Sequence, residues 1–193
     1  MRRAALFSLL SALSLAPAVA SAQSTFQIVK KESSFSFEVS TTLGGFEGKA
    51  KTFSGTIEIP SYPSDLAAGT TATITVDATT METGIKARDK DLNEKVIESA
   101  TYPEIKIVLK KVEKDAGAYS YKITADLTMH GQTNSVTFKS AVLPLSSAGR
   151  DGVAISGDVK IDITKWGMKP PTIVVNKVSK DVVIRWTLVA LRA

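Results

Sequence analysis

Apolar and polar residues alternate with a period of two along most of the chain, the pattern of strands with one face turned to a core. Phe35, Phe37 and Val39 alternate with Ser34, Ser36, Glu38 and Ser40. Ile74, Val76 and Ala78 alternate with Thr73, Thr75 and Asp77, and Ile105, Ile107 and Leu109 follow Pro103. The longest run places Tyr119, Tyr121, Ile123, Ala125, Leu127 and Met129 on one face and Lys122, Thr124, Asp126, Thr128 and His130 on the other. Val136 and Phe138 continue after a turn; Val159, Ile161 and Ile163 form a further run, and Val182, Ile184, Trp186, Leu188 and Ala190 the last. With Thr52–Ile59, about eight strands are predicted.

Two connections fix a register. Between Met129 and Val136 the inward parity switches from odd to even, as across a two-residue hairpin. Gly131-Gln132 as a type II′ turn sets Leu127 opposite Val136 and Ala125 opposite Phe138. Between Leu109 and Tyr121 the parity is kept, as across a three-residue loop. Asp115-Ala116-Gly117 in that loop sets Leu109 opposite Ile123 and Ile107 opposite Ala125. Residues 104–143 therefore read as a three-stranded meander. One segment departs from the pattern. Over 82–98 the residues Ile85, Asp89, Leu92 and Val96 fall on one stripe of a helix, and Tyr102-Pro103 marks its exit.

Eight long strands in an open sheet would expose two edges, so closure is expected. Long strands, meander connections and a single helix predict an all-β, eight-stranded antiparallel up-and-down barrel. A twelve-residue strand of roughly 40 Å, tilted by ~40°, gives a barrel about 30 Å tall. Such a barrel either fills its interior with side chains or holds one small ligand. Periodicity alone leaves both readings open, and a sandwich with them.

Charge and chemistry then narrow the picture. The first 22 residues carry Arg2 and Arg3, an apolar stretch from Ala4 to Ala16, Pro17, and Ala20-Ser21-Ala22 before Gln23. This is the pattern of a secretory signal peptide cleaved after Ala22, and the stretch is too short for a stable membrane anchor. Residues 23–193 then form a single domain, exported to the periplasm or secreted. Losing two of 24 basic residues against 19 acidic ones lowers the net charge from +5 to +3. That excess is too small and too scattered to favour nucleic acid. The absence of cysteine removes disulfides, thiol nucleophiles and Cys-type zinc sites, and a single histidine, His130, removes multi-histidine metal sites. No metal or cofactor is implied, and a homodimer is compatible with the sequence. His130, placed before the turn glycine, reads as a solvated turn residue.

The ordered motifs resemble those of the YceI-like family, the polyisoprenoid-binding proteins with a lipocalin-like barrel. Ser33–Val39, then Gly45-Phe46, then Phe53-Ser54-Gly55-Thr56-Ile57 match its opening; Thr83 with Arg88-Asp89-x-Asp91-Leu92 matches its helix. Tyr102-Pro103-x-Ile105, the stretch Asp126–Thr133, Ile161–Gly167 and the closing Val182–Ala190 complete the set. Where that family often carries histidine, Glu32, Ser40 and Asp91 stand at or near the corresponding places.

The resemblance implies a non-catalytic carrier that encloses a long apolar ligand, such as a polyisoprenoid, an isoprenoid quinone or a fatty-acid-like lipid. The cavity wall would then be the inward Phe35, Phe37, Ile107, Ile123, Leu127, Met129 and Phe138. Trp166 and Met168, after a strand, are pocket or plug; Trp186, inward in the last strand, is wall or floor. Arg88 reaches a ligand headgroup, or with Asp89 fixes the helix to the barrel. Two rival functions are a filled-barrel stress or interaction protein without ligand and a carboxylate-based hydrolase using Asp89, Asp91 and Glu94.

Overall fold

The computed structural model describes residues 24–147, 149–171 and 177–193. The leader expected at residues 1–22 lies outside the described residues, as does the cleavage point after it. The strands are β1 (Ser24–Ile28), β2 (Ser34–Thr41), β3 (Gly44–Ala50), β4 (Phe53–Ile59), β5 (Thr71–Asp77) and β6 (Met81–Glu82). They continue with β7 (Glu104–Lys114), β8 (Ser120–Met129), β9 (Gln132–Ser147), β10 (Arg150–Asp162) and β11 (Val178–Arg192).

All eleven belong to one antiparallel sheet that closes on itself where β1 pairs with β11. The predicted eight-stranded barrel is what they build, because six short strands join end to end into three bent walls. β1 and β2 lie consecutively along β11; β4 pairs with β1 while β3 pairs with β2; β5 pairs with β4 while β6 pairs with β3. β7 to β11 supply one wall each, and every strand runs antiparallel to its neighbours, as in an up-and-down barrel.

The alternation did not reveal β1 and β3. β1 carries only five residues. β3 is interrupted by glycines, which the sequence pattern reads as a loop. Gly48 is glycine for a packing reason: a Cβ there would sit 2.1 Å from Phe37 Cζ on the facing strand. The ring of Phe37 fills the place that a side chain would take.

Both predicted turns are corrected. The β8–β9 turn is His130-Gly131, with φ of +49° and +70°. Positive φ at both central residues is the type I′ arrangement. Leu127 therefore pairs with Asn134, Ala125 with Val136 and Ile123 with Phe138. Both registers keep the same residues inward, so the hydrophobic pattern cannot separate them. At the other connection the chain turns through Ala116–Tyr119, with Asp115 N–H donating to Ser120 O at 2.8 Å. Leu109 faces Ala125, but Lys111 faces Thr124, so Lys110 is the extra residue of a bulge. The bulge moves the inward set of β7 from Ile105, Ile107 and Leu109 to Val112, which faces Ile123. The meander itself stands as predicted.

The helical segment is shorter than 82–98: α1 spans Lys86–Asp91 and widens into a π-helical turn, Leu92–Val96. Gly84, at φ +80°, breaks the chain before it. The wide turn sends Val96 and Ile97 into the barrel, whereas Ile85 at the start of the stripe stays 53% exposed. Outside the barrel the walls carry ion pairs such as Lys110–Asp126, Lys160–Asp181 and Arg185–Glu38. Apolar residues face in and charges face out, the reverse of a barrel whose outer face meets lipid.

Candidate functional site: a hollow barrel end

The two ends of the barrel are built differently. At the end that holds the chain termini of the barrel, Phe26, Ile59 and Val153 are at most 1% exposed and pack together with Ile57, Leu66 and Tyr121. Tyr62 packs on Phe26 with the rings tilted and their centroids 4.8 Å apart, and donates its hydroxyl to Gly152 O at 2.9 Å. The opposite end carries the β2–β3 hairpin, α1, the His130-Gly131 turn and the segment after β10. There the walls stand apart around a cavity of about 570 Å³. Pockets that hold a small molecule run from about 300 to 1,000 Å³.

The cavity wall is Phe37 and Val39 from β2, Ile105 and Ile107 from β7, Leu127 and Met129 from β8, Ile161 from β10, and Val182 and Ile184 from β11. Val96 and Ile97 from the helical segment and Met168 beyond β10 complete it. A second space of about 120 Å³ lies deeper and is lined by Ile123, Phe138, Trp186 and Leu188 among others. Phe35, Ile107, Leu127 and Ile184 border both spaces and form a girdle between them. Trp186 and Phe138 meet edge to face below the girdle, centroids 4.8 Å apart.

Of the residues named from sequence, Phe35, Phe37, Ile107, Leu127, Met129, Met168 and Arg88 line the larger cavity. Ile123, Phe138 and Trp186 line the inner space. Trp166 lines neither; it is buried, and its indole N–H donates to Leu127 O at 2.8 Å, fastening the segment after β10 to the wall.

Arg88 and Asp89 both act on Thr83, the residue that follows β6. The Asp89 carboxylate accepts from the Thr83 N–H and hydroxyl, each at 2.6 Å. These two hydrogen bonds hold its carboxyl below the usual carboxylate range. Arg88 Nε donates to Thr83 Oγ1 at 2.8 Å and Nη2 to Thr83 O at 3.3 Å. The guanidinium then lies 4.1 Å over the ring of Phe46, at the wall of the cavity. Among the described residues no carboxylate oxygen comes within 4.0 Å of it. Asp91, also on the wall, is paired with Lys95 at 2.6 Å, and Glu94 lies 4.0 Å from Lys90. The three candidate carboxylates each have a different closest partner: Thr83 for Asp89, Lys95 for Asp91 and Lys90 for Glu94. Among the described residues no group of three His, Asp or Glu side chains is arranged to hold a metal ion.

The YceI-like domain profile matches residues 26–190. The chain belongs to the YceI-like family. The structure of BcnA from Burkholderia cenocepacia superposes on this YceI-like chain with a TM-score of 0.72 at 22% identity, over 84% of this chain and 98% of that one. A polyisoprenoid binding domain from Saccharophagus degradans, described as implicated in plant cell wall breakdown, gives 0.69 at 17% identity, over 87% and 98%. The YCEI protein of Campylobacter jejuni gives 0.65 at 20% identity, over 76% and 84%. At these identities the likeness is one of fold. No curated protein matches the sequence.

The YceI-like chain also shows lining residues that alternation missed. Phe46 lies on glycine-rich β3, and Leu43 is at a hairpin tip. His130 is the largest revision: instead of a solvated turn residue, it is a packed wall residue with 13% of its side chain exposed. Its left-handed backbone turns the ring inward, onto Tyr102 at a centroid distance of 4.3 Å. Its Nδ1 lies 3.2 Å from the Trp166 carbonyl, which can only accept, so this nitrogen carries a proton. Nε2 is buried without a hydrogen bond, 3.3 Å from a Glu98 carboxylate oxygen. The Tyr102-Pro103 motif and the position of His130 before a turn glycine are sequence signals, but nothing local in the sequence brings Trp166 beside them.

Proposed function

We propose that this protein binds a long apolar ligand, a polyisoprenoid, isoprenoid quinone or acyl lipid, inside the larger cavity and carries it without chemical change. The observation that supports this reading is the cavity of about 570 Å³ with walls of Phe, Ile, Leu, Val and Met side chains at one end of the barrel. Burial of a hydrocarbon chain there is favourable by ~25 cal/mol per Å² of apolar area, less the cost of ordering it. Arg88, a cation on the wall with no carboxylate within 4.0 Å among the described residues, suits the polar end of such a ligand. The polyisoprenoid binding domain from S. degradans shares the fold, which agrees with this assignment. The leader pattern at residues 1–22 supports export, and with it work in the periplasm or outside the cell.

The test is organic extraction of the purified protein followed by mass spectrometry, with uptake of a fluorescent apolar probe in parallel. A stoichiometric isoprenoid or acyl lipid, lost in Phe37→Asp protein that still folds, is the expected result. An empty extract together with no probe uptake would overturn the assignment.

A further inference from the structure

The mouth of the larger cavity is itself an amphipathic surface. Leu43, at the β2–β3 tip, is 75% exposed, and Ile85, at the start of α1, is 53% exposed. Both belong to the cavity lining, as do Pro170 and Pro171 beyond β10, so these residues mark its outer edge. The other exposed large apolar side chains among the described residues, Tyr119 and Leu143, lie outside this lining and are less exposed, so the two most exposed meet at one opening. Each stands beside a lysine. Lys86 follows Ile85, Lys169 precedes Pro170, and Lys177 exchanges backbone and side-chain hydrogen bonds with Thr42, next to Leu43. All three lysines are exposed, and among the described residues none has a carboxylate within 4.0 Å. The carboxylates of the helical segment 86–96 are engaged: Asp89 with Thr83, Asp91 with Lys95 and Glu94 with Lys90.

A rim of apolar points ringed by uncompensated cations matches the boundary of an anionic bilayer, where hydrocarbon lies just beneath a negative surface. We propose that this rim docks transiently on an anionic lipid membrane, with Leu43 and Ile85 entering the headgroup layer and Lys86, Lys169 and Lys177 facing lipid phosphates. The mouth then opens onto the bilayer, and a hydrocarbon chain passes from membrane to barrel without crossing water. The proposal rests on the carrier reading, which supplies the reason for docking.

The experiment uses protein recovered from an exporting host, its N-terminus fixed by intact-mass measurement so that all variants are matched. Co-sedimentation is measured with vesicles of phosphatidylglycerol and phosphatidylethanolamine, and with neutral phosphatidylcholine vesicles. Binding to the anionic vesicles that falls steeply between about 0.05 M and about 0.5 M salt is expected. Leu43→Asp/Ile85→Asp and Lys86→Glu/Lys169→Glu/Lys177→Glu should each weaken it about tenfold or more. Uptake of an apolar probe added from ethanol should stay unchanged in the triple lysine variant, none of whose positions lines the cavity, which separates docking from loading. Equal binding by wild type and both variants would overturn the proposal, even if the cavity takes up the probe. So would a rim-dependent dimer in sedimentation velocity without vesicle binding, which would assign the rim to a second copy of the chain.

Discussion

The two ends of this barrel share the five long strands and the same kinds of residue, yet one borders a space of only about 120 Å³ and is nearly solid, while the other encloses about 570 Å³. At the solid end, Phe26, Ile59 and Val153 have essentially no exposed surface, and Tyr62 lies across them as a cap. At the hollow end apolar side chains also point inward, but the helical segment and residues 163–171 border the space without filling it. The difference lies in what the loops contribute. The β4–β5 connection inserts Tyr62 and Leu66 into the barrel, while the helical segment inserts Val96 and Ile97 from its π-helical end, with Leu92 partly buried beside them. An inward apolar face therefore does not decide between core and cavity; the connections do.

Truncation should separate the two ends most sharply. Phe26→Ala removes a ring with packing on every side and should cost about 3–5 kcal/mol. Phe46→Ala, at the edge of a void and already half-buried, should cost about 1 kcal/mol, because fewer contacts are lost. Chemical denaturation of both variants checks the gap, and equal losses would mean that the hollow end is packed in solution. The reverse substitution comes next. Ile105→Trp adds bulk to the larger cavity and should lower probe binding at least about tenfold with no loss of thermal stability, whereas Val153→Trp should cost about 1–3 kcal/mol or more by overpacking. Thermal melts with a probe titration give both readouts.

A smaller effect is expected where the cover is tied down. Trp166→Phe keeps an aromatic ring, though a smaller one, but leaves the Leu127 carbonyl without its indole donor, and should cost about 1–2 kcal/mol. Hydrogen exchange should loosen first in the segment after β10 and at the His130 turn. Change confined to the solid end would contradict the role given to Trp166.

The smallest effect is electrostatic. Hydrogen bonds from Lys180 and Thr164 lower the Asp162 pKa from 3.8 to about 2 in the folded protein. Its contribution to stability is thus full above pH 3.8 and lost as pH falls through about 2. Asp162→Asn should flatten the decline of melting temperature in that acidic window and leave the neutral range almost unchanged. A full-sized decline in the variant would assign it to other carboxylates, among them Asp65, Asp89 and Asp115, whose pKa values are lowered in the same direction.

Much of the architecture was legible because period-two alternation reports which face is buried, and every long strand has one buried face. The barrel, the meander and the inward set follow from that. What alternation lacks is sensitivity to a shift of two in the register sum. Met129 and Val136 stay on the inner face whether the turn is His130-Gly131 or Gly131-Gln132, and only the backbone at His130 decides. Glycine hides a strand for a related reason. Gly48 is silent in a hydrophobic pattern because Phe37 occupies its space. Alternation placed part of the lining on the inward face but not Phe46, Leu43 or His130, and it was blind to hollowness, since volume depends on how far apart facing walls stand. His130 was misread because its partners, Trp166, Tyr102 and Glu98, come together only through tertiary structure.

The seam between the first and last strands sets the order in which the molecule can come into being. β11 runs beside β1, β2 and β10, and it supplies Val182 and Ile184 to the cavity wall. A chain emerging from its N-terminus holds two edges apart until residues 178–192 arrive. Pairing of the most distant parts of the sequence is the slow kind of contact. Because residues 178–192 close the seam, the container is completed only once they have paired, and nothing can be enclosed in it before then.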